Sequence, residues 1–103
     1  MRKKKVIDIG SSTGDNTIPI AKWDATCTLV ELNEEALEIS KKLFEIHLDN
    51  FSRHEFLNSS LYDIDIKKYS NQFDIVHCQG VLMHVADKDK AFKILTMLLK
   101  PGG

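Results

Sequence analysis

The apolar positions along the chain follow two different spacings that alternate with each other. Short runs of apolar and β-branched residues predict buried strands at residues 5–9, 25–31, 54–58 and 73–78. Between most of them, apolar residues recur every three or four positions, which predicts helices at residues 15–22, 33–48 and 87–99. Asn33 and Asp87 are the predicted N-caps of the second and last of these helices. Residues 59–72 predict a loop with one helical turn at residues 65–69.

The order of these elements indicates the fold class. The chain reads strand, helix, strand, helix, strand, loop, strand and helix, and such alternation is typical of an α/β fold with a parallel sheet and helices on both faces. With 103 residues, we expect one domain. In open sheets of this kind, ligands bind beyond the carboxyl ends of the strands.

Composition narrows the function classes. Hydrophobic residues make up 43% and charged residues 28% of the chain, as in an ordinary globular domain. The net charge of −1 gives no clear nucleic-acid footprint, and the longest apolar run is too short for a membrane helix. Cys27 and Cys78 are too few for a disulfide scaffold and predict a cytoplasmic protein, with both thiols as small buried hydrophobes. His77 and His84 lack zinc-ligand spacing, so we predict no metal site.

The first predicted strand runs into a small-residue turn, in the stretch "VIDIGSSTGDN". A dinucleotide-binding turn needs three glycines as G-x-G-x-x-G, but here the three positions are Gly10, Ser12 and Asp15. Asp15 would also place a negative charge where a helix N-terminus receives a pyrophosphate. No Gly-Lys-Ser/Thr follows, so a P-loop is absent as well. The turn is therefore poorly suited to phosphate.

A ligand with a cationic, zwitterionic end suits the same turn better. Asp8 lies two residues before Gly10 and can attract an ammonium or a sulfonium group. Glu31 ends the second predicted strand 21 residues after Gly10, which is the spacing of an acid that accepts the hydroxyls of a ribose. S-adenosylmethionine (SAM) has both features, although Glu31 alone fits either nucleotide class.

Four stretches in order resemble the class I SAM-dependent methyltransferases. "VIDIGSSTGDNTIPIA" is similar to their motif I, "VLDLGCGTG…T…LA", and "LVELNEEALEISKK" to their second strand and the helix after it. "NSSLYDIDI…FDIVHCQGVLMHV" resembles the region of strands three and four, and "ILTMLLKPGG" the end of the following helix. The resemblance implies a three-layer Rossmann-like sheet with strand order 3-2-1-4, the N-terminal part of a seven-stranded fold.

The resemblance also implies roles for particular residues. The methionine part of SAM would lie near four residues of motif I, namely Asp8, Gly10, Ser12 and Gly14. The nucleoside would contact Glu31 at the ribose and Leu32 at the adenine. The adenine amino group would lie near Ser60 and Leu61, and Gln79 would face the methionine carboxylate or amine.

The chain departs from the family pattern in two places. Ser12 replaces the middle glycine of motif I, and we expect its side chain to crowd the ligand or to disfavour a positive φ. The chain also covers the fold only from the first strand to the helix before the fifth. We therefore interpret residues 1–103 as a partial SAM-binding domain, whose fourth strand would present a bare edge to a second copy or to a partner chain.

Several individual interpretations remain open at this level. Asp8 is either a ligand contact or a buried acid that holds the turn, and Glu31 is either the ribose acid or a solvated strand end. His84 is either a general base for a methyl acceptor or a residue that lines the pocket or is exposed. His77 fits a core or edge position, and His47 and His54 fit the surface.

Three function hypotheses follow. The first is a SAM-dependent methyltransferase, or its cofactor-binding half, that acts on a small-molecule or unknown acceptor. The second is an NAD-type nucleotide-binding module, which lacks the expected glycines. The third is a non-catalytic remnant or interaction domain.

Overall fold

The computed structural model of the chain describes residues 4–11, 14, 17–23, 25–48, 51–78 and 88–101. These residues form one sheet, with β1 at Lys5–Ile9, β2 at Thr26–Val30, β3 at Glu55–Leu57 and β4 at Ile75–His77. They also form four α-helices, with α1 at Ile18–Lys22, α2 at Glu34–His47, α3 at Ile66–Tyr69 and α4 at Lys88–Leu98. Short 3-10 helices occupy Phe51–Arg53 and Leu61–Asp63.

The sheet confirms the predicted topology. All of its described pairings are parallel, and the strand order is β3-β2-β1-β4. Alternate residues of β1 point to opposite faces, so that Val6 packs into a core with α1 and α2, and Ile7 packs into a core with α3 and α4. The helices therefore cover both faces of the sheet, as alternation of strands and helices predicts.

Side chains cap the starts of two helices, and the predicted cap at Asn33 is confirmed. The Asn33 side chain accepts a hydrogen bond from the Ala36 amide at 3.0 Å and begins α2. The Asp65 side chain accepts from the amides of Lys67 and Lys68, at 3.1 and 3.4 Å, and begins α3. Asp87, the predicted cap of α4, lies outside the described residues.

The first helix is shorter than its predicted span of residues 15–22. Its first residue is Ile18, and Pro19 lies in the first turn, where the missing proline N–H has no helical acceptor to lose. The preceding turn extends to Thr17, because the Gly14 carbonyl accepts hydrogen bonds from the amides of both Thr17 and Ile18. The predicted start at Asp15 or Asn16 lies outside the described residues.

One edge of the sheet is partly paired by the chain itself. Phe73, just before β4, forms a parallel bridge with Leu99. The Phe73 amide donates to the Leu98 carbonyl at 3.0 Å, and the Lys100 amide donates to the Phe73 carbonyl at 2.8 Å. The expectation of a bare edge is therefore wrong at Phe73, although β4 itself pairs only with β1 within the described sheet.

The cysteines largely follow the sequence prediction. Cys27 is fully buried in β2, Cys78 is half-buried just after β4, and both thiols are free. Burial raises the pKa of Cys27 to about 12, which keeps this thiol protonated and unreactive. None of the helices in the described ranges has the length and apolar character needed to cross a bilayer.

His54 is buried, and its predicted surface position is wrong. Only 8% of the residue is exposed, while His47 is exposed as expected. Nδ1 of His54 accepts a hydrogen bond from the Cys27 amide at 3.1 Å. The His54 ring packs edge-on against Phe44, with the ring centroids 5.2 Å apart. Burial, helped by the positive charge of Arg53, lowers the pKa of His54 from 6.5 to about 4.

This low pKa predicts a loss of stability in mild acid. Above pH 6.5, His54 is neutral in both states; between pH 6.5 and 4 only the unfolded chain takes up the proton, which favours unfolding. At about 1.4 kcal/mol per pKa unit, the loss reaches on the order of 2–3 kcal/mol near pH 4. Urea unfolding between pH 7.5 and 4 should show a flatter pH dependence for His54→Gln than for wild type. His47→Gln is the control, and equal slopes for all three proteins would contradict this account.

Candidate functional site

The turn after β1 is attached to the end of β2. Gly10 has a φ of +73°, in the left-handed region that favours glycine. Its amide donates to the Val30 carbonyl at 2.7 Å, and the Ser11 amide donates to the same oxygen at 3.3 Å. These two hydrogen bonds bring the first turn beside Glu31, the residue that follows β2.

Gly14 closes the turn against α2. Its φ is +81°, and its amide donates to the Ser11 carbonyl at 3.0 Å. A Cβ atom at this position would lie 3.1 Å from Ser40 Oγ and 3.2 Å from Ser40 Cβ. The glycine is therefore required both by the backbone conformation and by the close approach of the turn to the helix.

Asp8 is buried below the turn and is held by two side chains. Asp8 is 4% exposed, and it lies on the face of the sheet that α1 and α2 cover. The Thr17 hydroxyl donates to Asp8 Oδ2 at 2.5 Å, and Nδ1 of His77 lies 3.0 Å from Asp8 Oδ1. Because an ionised carboxylate only accepts, we assign the Nδ1 proton to His77, which donates to Asp8.

Thr17 had no predicted role, and His77 was predicted only for a core or edge position. Thr17 matches the threonine in motif I of the methyltransferases, and this match could have identified it as a site residue. It precedes α1, but its hydroxyl bonds Asp8 and makes no capping hydrogen bond. His77 is a residue of the edge strand β4, and it is the partner of Asp8 in the parallel register. That partnership joins residues 69 positions apart, and no local pattern predicts it.

The segment after β2 is held in place by the end of β3. The Glu31 amide donates to the Leu57 carbonyl at 3.0 Å, and Asn58 Nδ2 donates to the carbonyls of Glu31 and Leu32, each at 3.0 Å. Glu31 Oε2 accepts from the Asn33 amide at 2.8 Å. Leu32 is 71% exposed, so its apolar side chain is available to a ligand.

The residues predicted near the adenine amino group differ in exposure. Ser60 is half-buried, and its hydroxyl donates to Asp63 Oδ2 at 2.9 Å. Leu61 is 4% exposed, and its side chain packs in the core with Ile9 and Val30, so a ligand contact would have to use its backbone. Three predicted site residues lie outside the described residues, namely Ser12, Gln79 and His84.

The charge of this region fits a cationic ligand group better than a phosphate. Residues 8–11, 14, 17 and 29–33 contain two carboxylates, Asp8 and Glu31, and no lysine or arginine. The Ser11 hydroxyl is buried within the turn and has no hydrogen-bond partner within the described structure. Such a group is costly unless it is satisfied, so a polar ligand end at the turn would stabilise it. The described residues contain no group of three side chains suited to a metal ion.

The comparison with known proteins identifies the family. The chain belongs to the methyltransferase-domain family, whose sequence model matches residues 1–103. Among related proteins, the ubiquinone biosynthesis O-methyltransferase of Coxiella burnetii is 32% identical over 104 aligned residues, which cover all of this chain and 42% of that protein.

Solved structures give the same fold. A protein of Methanococcus maripaludis assigned to the SAM-dependent methyltransferases superposes with a TM-score of 0.86 and 26% identity, over 100% of this chain and 46% of that one. PKMT2 of Rickettsia typhi, solved in complex with S-adenosylhomocysteine (AdoHcy), superposes with a TM-score of 0.83 and 28% identity. That match covers 98% of this chain and 19% of PKMT2. The chain thus spans less than half the length of each of these proteins.

A side chain at position 14 should destabilise the domain. Gly14→Ala forces a non-glycine residue into positive φ and presses its Cβ against Ser40, so we expect a loss of about 1–3 kcal/mol in the free energy of unfolding. In a double-mutant cycle, Ser40→Gly should recover the steric part of this loss but not the backbone part. Strictly additive effects in urea unfolding would contradict the packing of the turn against α2.

Proposed function

We propose that this chain is the cofactor-binding part of a SAM-dependent methyltransferase. The observation that carries the proposal is the junction of the glycine turn with the end of β2. There, hydrogen bonds from Gly10 and Ser11 to Val30 bring the turn beside the acid Glu31. The family, the AdoHcy complex of PKMT2 and the acidic character of the turn all support it.

The proposed contacts divide the cofactor into two ends. Four residues of β1 and the turn would surround the methionine end, namely Asp8, Gly10, Ser12 and Gly14. The Asp8 carboxylate would attract its ammonium group. Gln79 would contact the same end. Glu31 would accept the ribose hydroxyls, Leu32 would cover the adenine, and Ser60 and Leu61 would lie near its amino group.

Methyl transfer from SAM requires the protein mainly to align the donor with the acceptor. When bound, SAM supplies a methyl group on a sulfonium, which is already an activated leaving group. The chain would hold the donor in line with the acceptor and exclude water. We propose His84 as the base for an acceptor that must lose a proton, while an acceptor that is already anionic needs none. The acceptor itself, a small molecule or another group, is not identified by these residues.

Binding of the cofactor can be tested without knowing the acceptor. Isothermal titration of the chain with SAM and with AdoHcy should show binding, and NAD should show none. Glu31→Gln should weaken both SAM-type ligands by about 10–100-fold, since it replaces charge-assisted hydrogen bonds to the ribose. Glu45→Gln on the exposed surface of α2 is the matched control. A folded chain that binds neither ligand, or that binds NAD as well as SAM, would refute the proposal.

We further propose that β4 associates with another chain, either a second copy or a partner. The support is its outer side, which in the described sheet is paired only at Phe73, just before the strand. Size-exclusion chromatography with light scattering over a wide concentration range should show association. A monomer at the highest concentration would contradict association with a second copy. If no other chain co-purifies either, association with a partner chain is contradicted as well. The cytoplasmic location expected from the cysteines stays a prediction.

A further inference from the structure

We infer that His77 is a positioning residue of the cofactor site, and that it acts through Asp8 on the methionine end of the ligand. The inference rests on the proposed function, because it specifies how one carboxylate of that site is oriented. Like Asp8 on β1, His77 lies within a strand, β4, and not in a loop.

The backbone fixes the relation between the two side chains. Asp8 and His77 are direct partners in the parallel pairing of β1 with β4, so both side chains stand on the same face of the sheet. Asp8 Oδ1 and His77 Nδ1 are 3.0 Å apart. The Asp8 side chain is 5% exposed and that of His77 is 38% exposed, so the pair extends from the interior towards the surface.

Two separate elements hold the carboxylate of Asp8. Thr17, which leads into α1, bonds Oδ2, and His77 on β4 bonds Oδ1. A carboxylate that is bonded at both oxygens cannot rotate freely, and each oxygen still has a lone pair for a further donor. The Nδ1–H donor of His77 therefore orients the Asp8 carboxylate and leaves it free to accept from an ammonium group.

Loss of the imidazole would therefore affect one end of the ligand only. Without His77, Asp8 keeps Thr17 as its partner and can turn about its own side-chain bonds, which misdirects the oxygen meant for the ammonium. The residues proposed for the ribose and adenine follow β2 and β3, and in the sheet β1 lies between those strands and the strand of His77, β4. The predicted effect is confined to ligands that carry the amino-acid end.

Comparing the binding of two ligands distinguishes effects at the two ends of the cofactor. AdoHcy carries the nucleoside and the amino-acid end, whereas 5′-methylthioadenosine keeps the adenine, ribose and thioether and lacks the amino-acid end. We expect His77→Leu to weaken AdoHcy by at least 10-fold in isothermal titration. Binding of 5′-methylthioadenosine should change by no more than about twofold.

Two polar variants give a control that depends on geometry. In His77→Asn the side-chain amide nitrogen can occupy the place of Nδ1, so this variant should keep AdoHcy affinity within about threefold of wild type. In His77→Gln the amide lies one bond further out, and affinity should fall as in His77→Leu. The comparison of Asn with Gln remains decisive if the apolar variant does not fold, which thermal unfolding of each protein reveals.

The outcomes are distinguishable. Equal weakening of both ligands, or equal behaviour of the Asn and Gln variants, would mean that His77 only supports the fold. Unchanged AdoHcy binding in folded His77→Leu or His77→Gln would overturn the inference directly. If the folded wild-type chain binds neither ligand, the proposed function itself fails, and the inference fails with it.

Discussion

The parallel pairing of β1 with β2 is the constraint on which the rest of the site depends. It sets Ile9 beside Val30, the last residue of β2. The Val30 carbonyl then accepts the amides of Gly10 and Ser11, so the chain must turn sharply just beyond the end of the strand. A positive φ at Gly10 makes that turn possible, and the turn places Glu31 beside it. A one-residue shift of the register would send Asp8 to the other face of the sheet and separate these groups.

The buried carboxylate of Asp8 links fold and function. A buried charge is costly unless it is hydrogen-bonded, and here the bonds come from Thr17, just before α1, and from His77 on β4. The same bonds tie β1 to the segment before α1 and to β4, so the acid supports the local structure whether or not a ligand is present. The structural and ligand-binding interpretations of Asp8 are therefore compatible, because the residues that stabilise the charge also set its direction.

The sequence predicted the features of the fold that depend on local patterns of residues. Helices on both faces and the cap Asn33 depend on short-range spacing and side-chain chemistry, whereas the strand order was implied by the family resemblance, and all three are confirmed. The failures concern contacts between distant segments. His54 is polar by sequence but buried, because it accepts the Cys27 amide, and Phe73 pairs with Leu99 across 26 residues. The Asp8–His77 pair likewise requires the register of two strands, which becomes visible only once the sheet has formed.

The central claim is that SAM binds where the glycine turn meets the end of β2. Amide chemical shifts of the ¹⁵N-labelled chain, recorded during titration with AdoHcy, test this location most directly. The account predicts that the largest changes fall at the carboxyl ends of the strands, on Gly10, Ser11, Gly14 and Glu31, while Lys5 and Thr26 at the opposite end stay unchanged. Large changes at that opposite end, or none at the turn while binding occurs, would contradict it.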